Sequence, residues 1–245
     1  MITRAPSRFE KYPELIVIGV LVAVLLIFVD LPKTDLWIVA LVYDQSTGEW
    51  PFASLPLFDT LNRHFESVFV VAGASASLAC ILAYRLGCAS PQWQRVGVFL
   101  LLSLAVGPGL VVNGVFKNMW GRPRPVDTLQ FGGTQEFRRI TNPGAGGAPE
   151  RGGAGRSFPS GHAAAAFWST SLFFVARYLW PQRALLTLGL TLGLGLLVGT
   201  GRVLAGRHYP SDVLWAGVIV FSISGLIAYL WLQLPRWRAH ASETP

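Results

Sequence analysis

Six stretches of nearly uninterrupted apolar sequence, residues 15–31, 68–84, 96–116, 163–178, 185–200 and 213–234, constrain this chain more than any other feature. Within blocks of this length the polar residues neither alternate with the apolar ones nor recur at helical spacing. No water-facing stripe is left, and lipid is the solvent such segments require. Composition points the same way, with 52% of the 245 residues hydrophobic and 13% charged, against roughly a quarter charged in a soluble domain. The expectation is an all-α fold, a six-transmembrane-helix bundle that makes residues 1–245 a single integral-membrane domain. A seventh stretch, residues 36–42, is too short to span and reads as an interfacial segment of the first outer loop.

Most of the nine Trp residues, among them Trp37, Trp50, Trp93, Trp120, Trp180, Trp231 and Trp237, fall near block ends, the depth that ring-plus-NH side chains favour. Arg4, Arg8 and Lys11 precede the first block, but Asp30, Leu31 and Pro32 end it where a cleavable signal would carry small residues. It reads as a retained helix. Six crossings put both termini on one side. Arg85, Arg95, Arg177 and Arg183 in the short turns, with the basic termini, make that side cytoplasmic.

The loop from Lys117 to His162 breaks the pattern, carrying Lys117, Arg122, Arg124, Arg138, Arg139, Arg151 and Arg156 although it falls outside. Anion binding accounts for such charges; for Arg138, Arg139, Arg151 and Arg156 contact with lipid headgroups accounts for them equally well. The net charge of +7 does not imply nucleic acid, because no soluble basic domain exists and the charges are divided between membrane faces. Cys80 lies within the second block and Cys88 just beyond it, which makes a disulfide a poor expectation. Residues 142–155, rich in Gly, Ala and Pro, read as a flexible loop segment.

Three polar clusters interrupt the apolar sequence, and the crossing count places all of them on the outer face. In the first, Lys117 to Pro125, an ammonium and the Arg124 guanidinium are suited to phosphate oxygens, the latter through a bidentate fork. Arg122 is a secondary candidate. In the second, Ser157 to His162, Pro159 and Ser160 read as a helix entrance whose early amides, beside the Ser160 hydroxyl and Gly161, cradle an anion. His162 is then placed to protonate a departing oxygen. In the third, Gly201 to Asp212, the aspartate follows His208 by four positions, one helical turn. Its carboxylate can fix the imidazole for attack on phosphorus, with Arg202 adding positive charge; a salt pair between Asp212 and Arg207 is the structural alternative.

Lys117 with Arg124-Pro125, then Pro159-Ser160-Gly161-His162, then Arg202 with His208 and Asp212, in this order and spacing, resemble the three-part signature of the type 2 phosphatidic acid phosphatase superfamily. The resemblance implies a membrane lipid phosphatase without cofactor or metal. In it His208 is the nucleophile, His162 the acid and base, and Asp212 the partner of His208. Lys117, Arg124, Ser160, Gly161 and Arg202 hold the phosphate. The family pattern commonly has serine before the arginine of the third motif; here Gly201 follows Thr200, which makes Thr200 a secondary candidate for the missing hydroxyl.

The substrates implied are phosphatidic acid, phosphatidylglycerol phosphate, undecaprenyl pyrophosphate and the phosphates of lipid A. The loop 131–137 and Tyr43-Asp44 resemble the bacterial lipid A phosphatase branch most, which also implies a bacterial inner membrane with the site on its periplasmic face. No obligate protein partner and no nucleic acid is implied. Transfer of phosphate to a second lipid stays open as a related reaction. A transporter or a lipid-binding protein is the reading outside enzymology, although the charges gather at one mouth instead of the midplane.

Overall fold

A computed structural model describes residues 32–142 and 155–233. Helix α1 (Pro32–Ala40) is followed by α2 (Pro56–Arg85), and α3 (Pro91–Leu104) continues through a π-helical stretch (Ala105–Phe116) into a last turn (Lys117–Met119). After a long loop come α4 (Gly161–Trp168), α5 (Ser171–Leu179), α6 (Ala184–Leu204) and α7 (Pro210–Ala228), the last extended by a π turn (Tyr229–Gln233).

The all-α expectation matches these elements, but the six-transmembrane-helix bundle does not. Among the described residues four helices are long and apolar enough to cross a membrane: Arg63–Arg85, Pro91–Met119, Pro181–Leu204 and Pro210–Leu232. The expected first span, 15–31, lies outside the described residues, as do the basic termini and most of the loop 142–155. The expected span 163–178 is two short helices. At the break, Ser169 and Thr170 turn their hydroxyls back onto the carbonyls of Ala166 and Phe167, at 2.6 and 2.7 Å. Their amides bond the same two carbonyls, three residues back, which tightens the turn and ends α4. Four apolar spans make this a multi-pass membrane protein, and its outer apolar side chains, such as Val68, Leu82, Leu186 and Leu190, are exposed as lipid contacts require.

Chain direction alternates so that the polar clusters meet at one end. At the other end the rings of Trp93 and Trp180 lie 6.1 Å apart, and Trp231 Nε1 donates to the carbonyl of Arg95 at 3.1 Å. Glycines let the helices approach: Gly73 packs on Trp168, Gly195 on Phe167 and Gly199 on Val213, positions where a Cβ would overlap the neighbour. A hydrogen-bonded chain ties α3, α4, α5 and α7 through the apolar interior. Trp168 Nε1 donates to Ser103 Oγ at 2.9 Å, Ser103 and Ser171 hydroxyls are 3.3 Å apart, and Ser171 and Ser224 hydroxyls 3.1 Å.

Pro108 inside α3 cannot donate to the helical ladder and crowds the preceding turn, and the backbone widens there into the π-helical stretch. Residues 36–42 continue α1 into the turn after it; Asp35 and Val39 turn inward to 2% and 0% exposure while Trp37 and Leu41 stay 63% and 65% exposed.

Candidate functional site

Backbone hydrogen bonds sew the three polar clusters together. The Ser157 amide donates to the Arg122 carbonyl at 2.9 Å, the Val126 amide to that of Gly206 at 3.1 Å, and the Ser160 amide to that of Asp212 at 3.2 Å. Each cluster thus touches the other two. Ser160 caps α4, its hydroxyl accepting from the Ala163 amide, as the sequence predicts for a helix entrance.

Local rules deliver His208 to this junction. Helix α6 ends where the amides of Gly206 and Arg207 turn back to the carbonyls of Val203 and Arg202, with Gly206 in the left-handed region at φ +63°. The Trp50 ring covers Gly206 so closely that a side chain there would overlap it. Two residues on, Tyr209 caps α7, Pro210 takes its first position, and Asp212 accepts from the Tyr209 amide at 2.9 Å. His208 is held between two helix ends that are themselves fixed.

His208 is 2% exposed, and its Nδ1 lies 2.7 Å from the Ser157 carbonyl oxygen. That oxygen can only accept, so the neutral ring carries its proton on Nδ1 and its lone pair on Nε2. Asp212 lies 3.8 Å from the same nitrogen, close enough for charge interaction but beyond a hydrogen bond. The ring is therefore oriented by a carbonyl, where the sequence pointed to the carboxylate. Burial lowers the His208 pKa from 6.5 to about 4, with Asp212 opposing and Arg202 and Lys117 adding to the fall.

The carboxylate of Asp212 answers chiefly to Arg122, not to Arg207. Arg122 Nη1 is 2.5 Å from Asp212 Oδ1 and Nη2 is 2.7 Å from Asp35 Oδ2. Its Nε donates to the Arg138 carbonyl at 2.9 Å, and its guanidinium stacks 4.2 Å from the Tyr209 ring centre. Ser211 donates its hydroxyl to Asp35, and the Ser157 hydroxyl donates to Asp212 Oδ2 at 2.6 Å. Burial opposes the Arg122 charge and would lower its pKa, but Asp212 and Asp35 outweigh that and raise it. Burial pushes the Asp35 carboxyl up from its ordinary value, against the pull of Arg122.

His162 lies in a different setting. Its Nδ1 is 2.7 Å from Glu66 Oε2, and the two side chains are 17% and 28% exposed. Lys117 Nζ donates to Asn113 Oδ1 at 2.9 Å, and a Cβ on Gly161 would overlap Lys117 Nζ. Glycine at 161 is what lets that ammonium reach the backbone beside His162.

Electrostatic coupling links Arg202 with Arg124, Arg207 and Glu66, and Arg124 with Arg156 and Asp127. Lys117 couples to Arg124, Arg156 and Arg202 in turn, and Lys117 and Arg202 act on His208. Burial, then repulsion from Arg207, lowers the Arg124 pKa, and its buried Nε has no hydrogen-bond partner among the described residues. Such a cluster fits a multiply charged anion. Among the described residues, no group of three or more His, Cys, Asp and Glu side chains is arranged to hold a metal ion.

Most residues expected from the sequence converge here: Lys117, Arg124, Ser160, Gly161, His162, Arg202, His208 and Asp212. Arg122, a secondary candidate, is buried with its guanidinium held by Asp35, Asp212, Ser211 and the Arg138 carbonyl. Thr200 is exposed on α6 and does not join the site, while a Cβ on Gly201 would come within 2.8 Å of the Phe58 ring. That ring occupies the space a serine would need. Sequence reasoning missed Glu66, Asp35, Asn113 and the carbonyl of Ser157. Glu66, two residues before an apolar block, was the one with a readable signal, since helices outrun the hydropathy that reveals them.

Sequence comparison agrees with this geometry. The PAP2 superfamily model matches residues 96–238, which include all three clusters. A lipid A 4'-phosphatase of Rhizobium leguminosarum is 30% identical over 71% of this chain and 74% of its own length. Those of Francisella tularensis subsp. novicida (strain U112) and Rhizobium etli (strain ATCC 51251 / DSM 11541 / JCM 21823 / NBRC 15573 / CFN 42) are 32% and 31% identical over 56% and 68% of this chain. The chain spans 59% and 62% of the lengths of these last two. No solved structure matches the chain. With the family match covering more than half of the sequence and every residue of the three clusters, the chain belongs to the PAP2 superfamily.

Proposed function

We propose that this protein, working as a single membrane domain, is a metal-independent phosphatase that hydrolyses a lipid phosphomonoester through a phosphohistidine, with a lipid A phosphate as substrate. The observation that carries the reading is the buried imidazole of His208, its Nδ1 held by the Ser157 carbonyl so that Nε2 is left for phosphorus, with the charges of Arg202 and Lys117 acting on it. His208 Nε2 forms a bond to phosphorus as the bond to the lipid oxygen breaks, and His162 Nε2 gives that oxygen its proton. Water then attacks the phosphohistidine, His162 takes the water's proton, and phosphate leaves. The cations and the amides at the start of α4 hold the equatorial oxygens while charge shifts between attacking and leaving atoms. Asp212 acts on His208 as a fixed charge and as an anchor for Ser157.

A lipid substrate is supported by a cavity of about 530 Å³ between α2 and α3, which runs from Glu66 and Asn113 along Val70, Val71, Leu101 and Pro108. An acyl chain fits such walls. The names of the three relatives support lipid A among lipid phosphates. Arg85, Arg95, Arg177 and Arg183 lie at the end away from the site, and the positive-inside tendency then opens the site to the periplasmic face of a bacterial inner membrane.

The test is phosphate release by the purified protein in vesicles, without added metal, from lipid A, undecaprenyl pyrophosphate, phosphatidylglycerol phosphate and phosphatidic acid, with H208N alongside. Turnover of lipid A by wild type and none by H208N is expected. Equal turnover by both sinks the nucleophile assignment, and preference for another lipid sinks the substrate.

A further inference from the structure

We infer that Glu66, which lies outside all three polar clusters, is the positioning residue of His162, forming a second carboxylate–imidazole pair devoted to the leaving oxygen. The inference rests on the reading of His162 as acid and base. Glu66 Oε2 is 2.7 Å from His162 Nδ1. A carboxylate oxygen only accepts, so Nδ1 carries the shared proton and Nε2 is the nitrogen that exchanges protons with the substrate. The contact also fixes the plane of the ring, which sets where Nε2 points.

A second observation places the same carboxylate against the catalytic backbone. A Cβ at Gly161 would come within 3.2 Å of Glu66 Oε1 and 2.9 Å of Asn113 Oδ1, besides meeting Lys117 Nζ. Glu66 thus reaches the main chain directly ahead of His162 with one oxygen and the ring with the other. Its charge also couples to Lys117 and Arg202, so α2 joins the site formed by α3, α4 and α6.

The proton balance is explicit. In the first half-reaction the P–O bond electrons leave with the lipid oxygen, which takes the Nε2 proton of doubly protonated His162. In the second, the water that attacks phosphorus gives a proton to Nε2, the P–N bond electrons return to His208, and the doubly protonated ring is restored. Glu66 keeps its hold on Nδ1–H throughout, and its negative charge is best matched to the doubly protonated ring that begins and ends the cycle.

A purely structural glutamate and one that positions an acid differ in their dependence on the leaving group. The quantity kcat/KM counts steps only through departure of that group. Wild type, E66Q and E66A in detergent are compared on an alkyl lipid phosphate and on p-nitrophenyl phosphate, whose phenolate leaves without a proton.

E66A is expected to lose on the order of 10²-fold in kcat/KM on the alkyl ester, E66Q less because its amide oxygen can still accept from Nδ1–H, and both at least ten times less on p-nitrophenyl phosphate. Equal losses on both esters, or no loss by E66A on the alkyl ester, overturns the role. E66Q keeps the size of the side chain, so its melting temperature separates folding from catalysis. Absence of wild-type turnover on both esters would instead overturn the phosphatase reading.

Discussion

The two histidines of the site live in opposite surroundings. His208 is 2% exposed, bonded to a main-chain carbonyl and backed by a carboxylate that is itself locked to a buried arginine. His162 is bonded to a carboxylate directly, and the pair is 17% and 28% exposed. A nucleophile gains from being desolvated and kept neutral, with its lone pair pre-aimed; an acid and base that reloads its proton each cycle needs access to water. On the proposed mechanism this difference in burial divides the labour between the two rings.

The largest effect is expected at the buried ring. H208N keeps a donor for the Ser157 carbonyl but has no lone pair for phosphorus, and turnover should fall on the order of 10⁴-fold or more. H162N should fall less on a substrate with a good leaving group and, with no base to activate water, should accumulate phosphoenzyme. Brief exposure to labelled p-nitrophenyl phosphate and an alkaline quench checks this: label is retained by H162N and absent from H208N. The reverse pattern would exchange the roles of the two rings.

Arg122 separates the halves in stability instead of rate. Its guanidinium is 1% exposed between Asp35 and Asp212, and R122M would leave both carboxylates buried without their cation. A loss of about 3–5 kcal/mol is expected on unfolding in detergent. The partly exposed pair on the other side should behave differently, E66Q costing less than about 1 kcal/mol. Similar losses for the two variants would remove the contrast between a structural ion pair and a functional one.

How far the sequence carried this site follows from the same contrast. Motif spacing and apolar blocks located eight of the converging residues, because helices of this length leave few ways to gather three clusters at one end. The blocks misjudged where helices stop. Hydropathy ends at a charge, yet α2, α3, α6 and α7 continue past it, which is how Lys117, Arg202 and Asp212 come to lie on helix ends and Glu66 about three turns inside α2. The break at Ser169–Thr170 was hidden because hydroxyls that bond their own backbone lower hydropathy very little. Asp35 was out of reach for another reason: its value lies wholly in a partner, Arg122, 87 positions away, and nothing local in the sequence distinguishes it from the surface acids around it.

Acid should weaken the buried half first. Burial lowers the His208 pKa from 6.5 to about 4, so as pH falls through this window the unfolded chain takes up a proton that the folded chain refuses. The stabilisation is complete above about pH 6.5 and lost progressively toward pH 4, amounting to about 3 kcal/mol. Asp35, raised above 3.8, works in the opposite sense at the lower edge, so the quantity to measure is wild type minus H208N. That difference should slope across the window; a flat difference would mean water reaches the ring.

The smallest expected effect lies where α2 touches both halves. The helix that supplies Glu66 to His162 also places Phe58 against Gly201, beside Arg202, with a Cβ there only 2.8 Å from the ring. G201S should restore the hydroxyl common in the family yet strain this packing by about 1–3 kcal/mol, displacing Arg202 and lowering kcat/KM several-fold. Adding F58A frees the space, and the double variant should recover activity relative to G201S although F58A alone gains nothing. If G201S is fully active by itself, the ring yields easily and Gly201 is not fixed by α2. If the double variant recovers, the glycine and the phenylalanine are one feature: the chain has given up a phosphate-side hydroxyl to let the helix that carries Glu66 pack closely enough to reach His162.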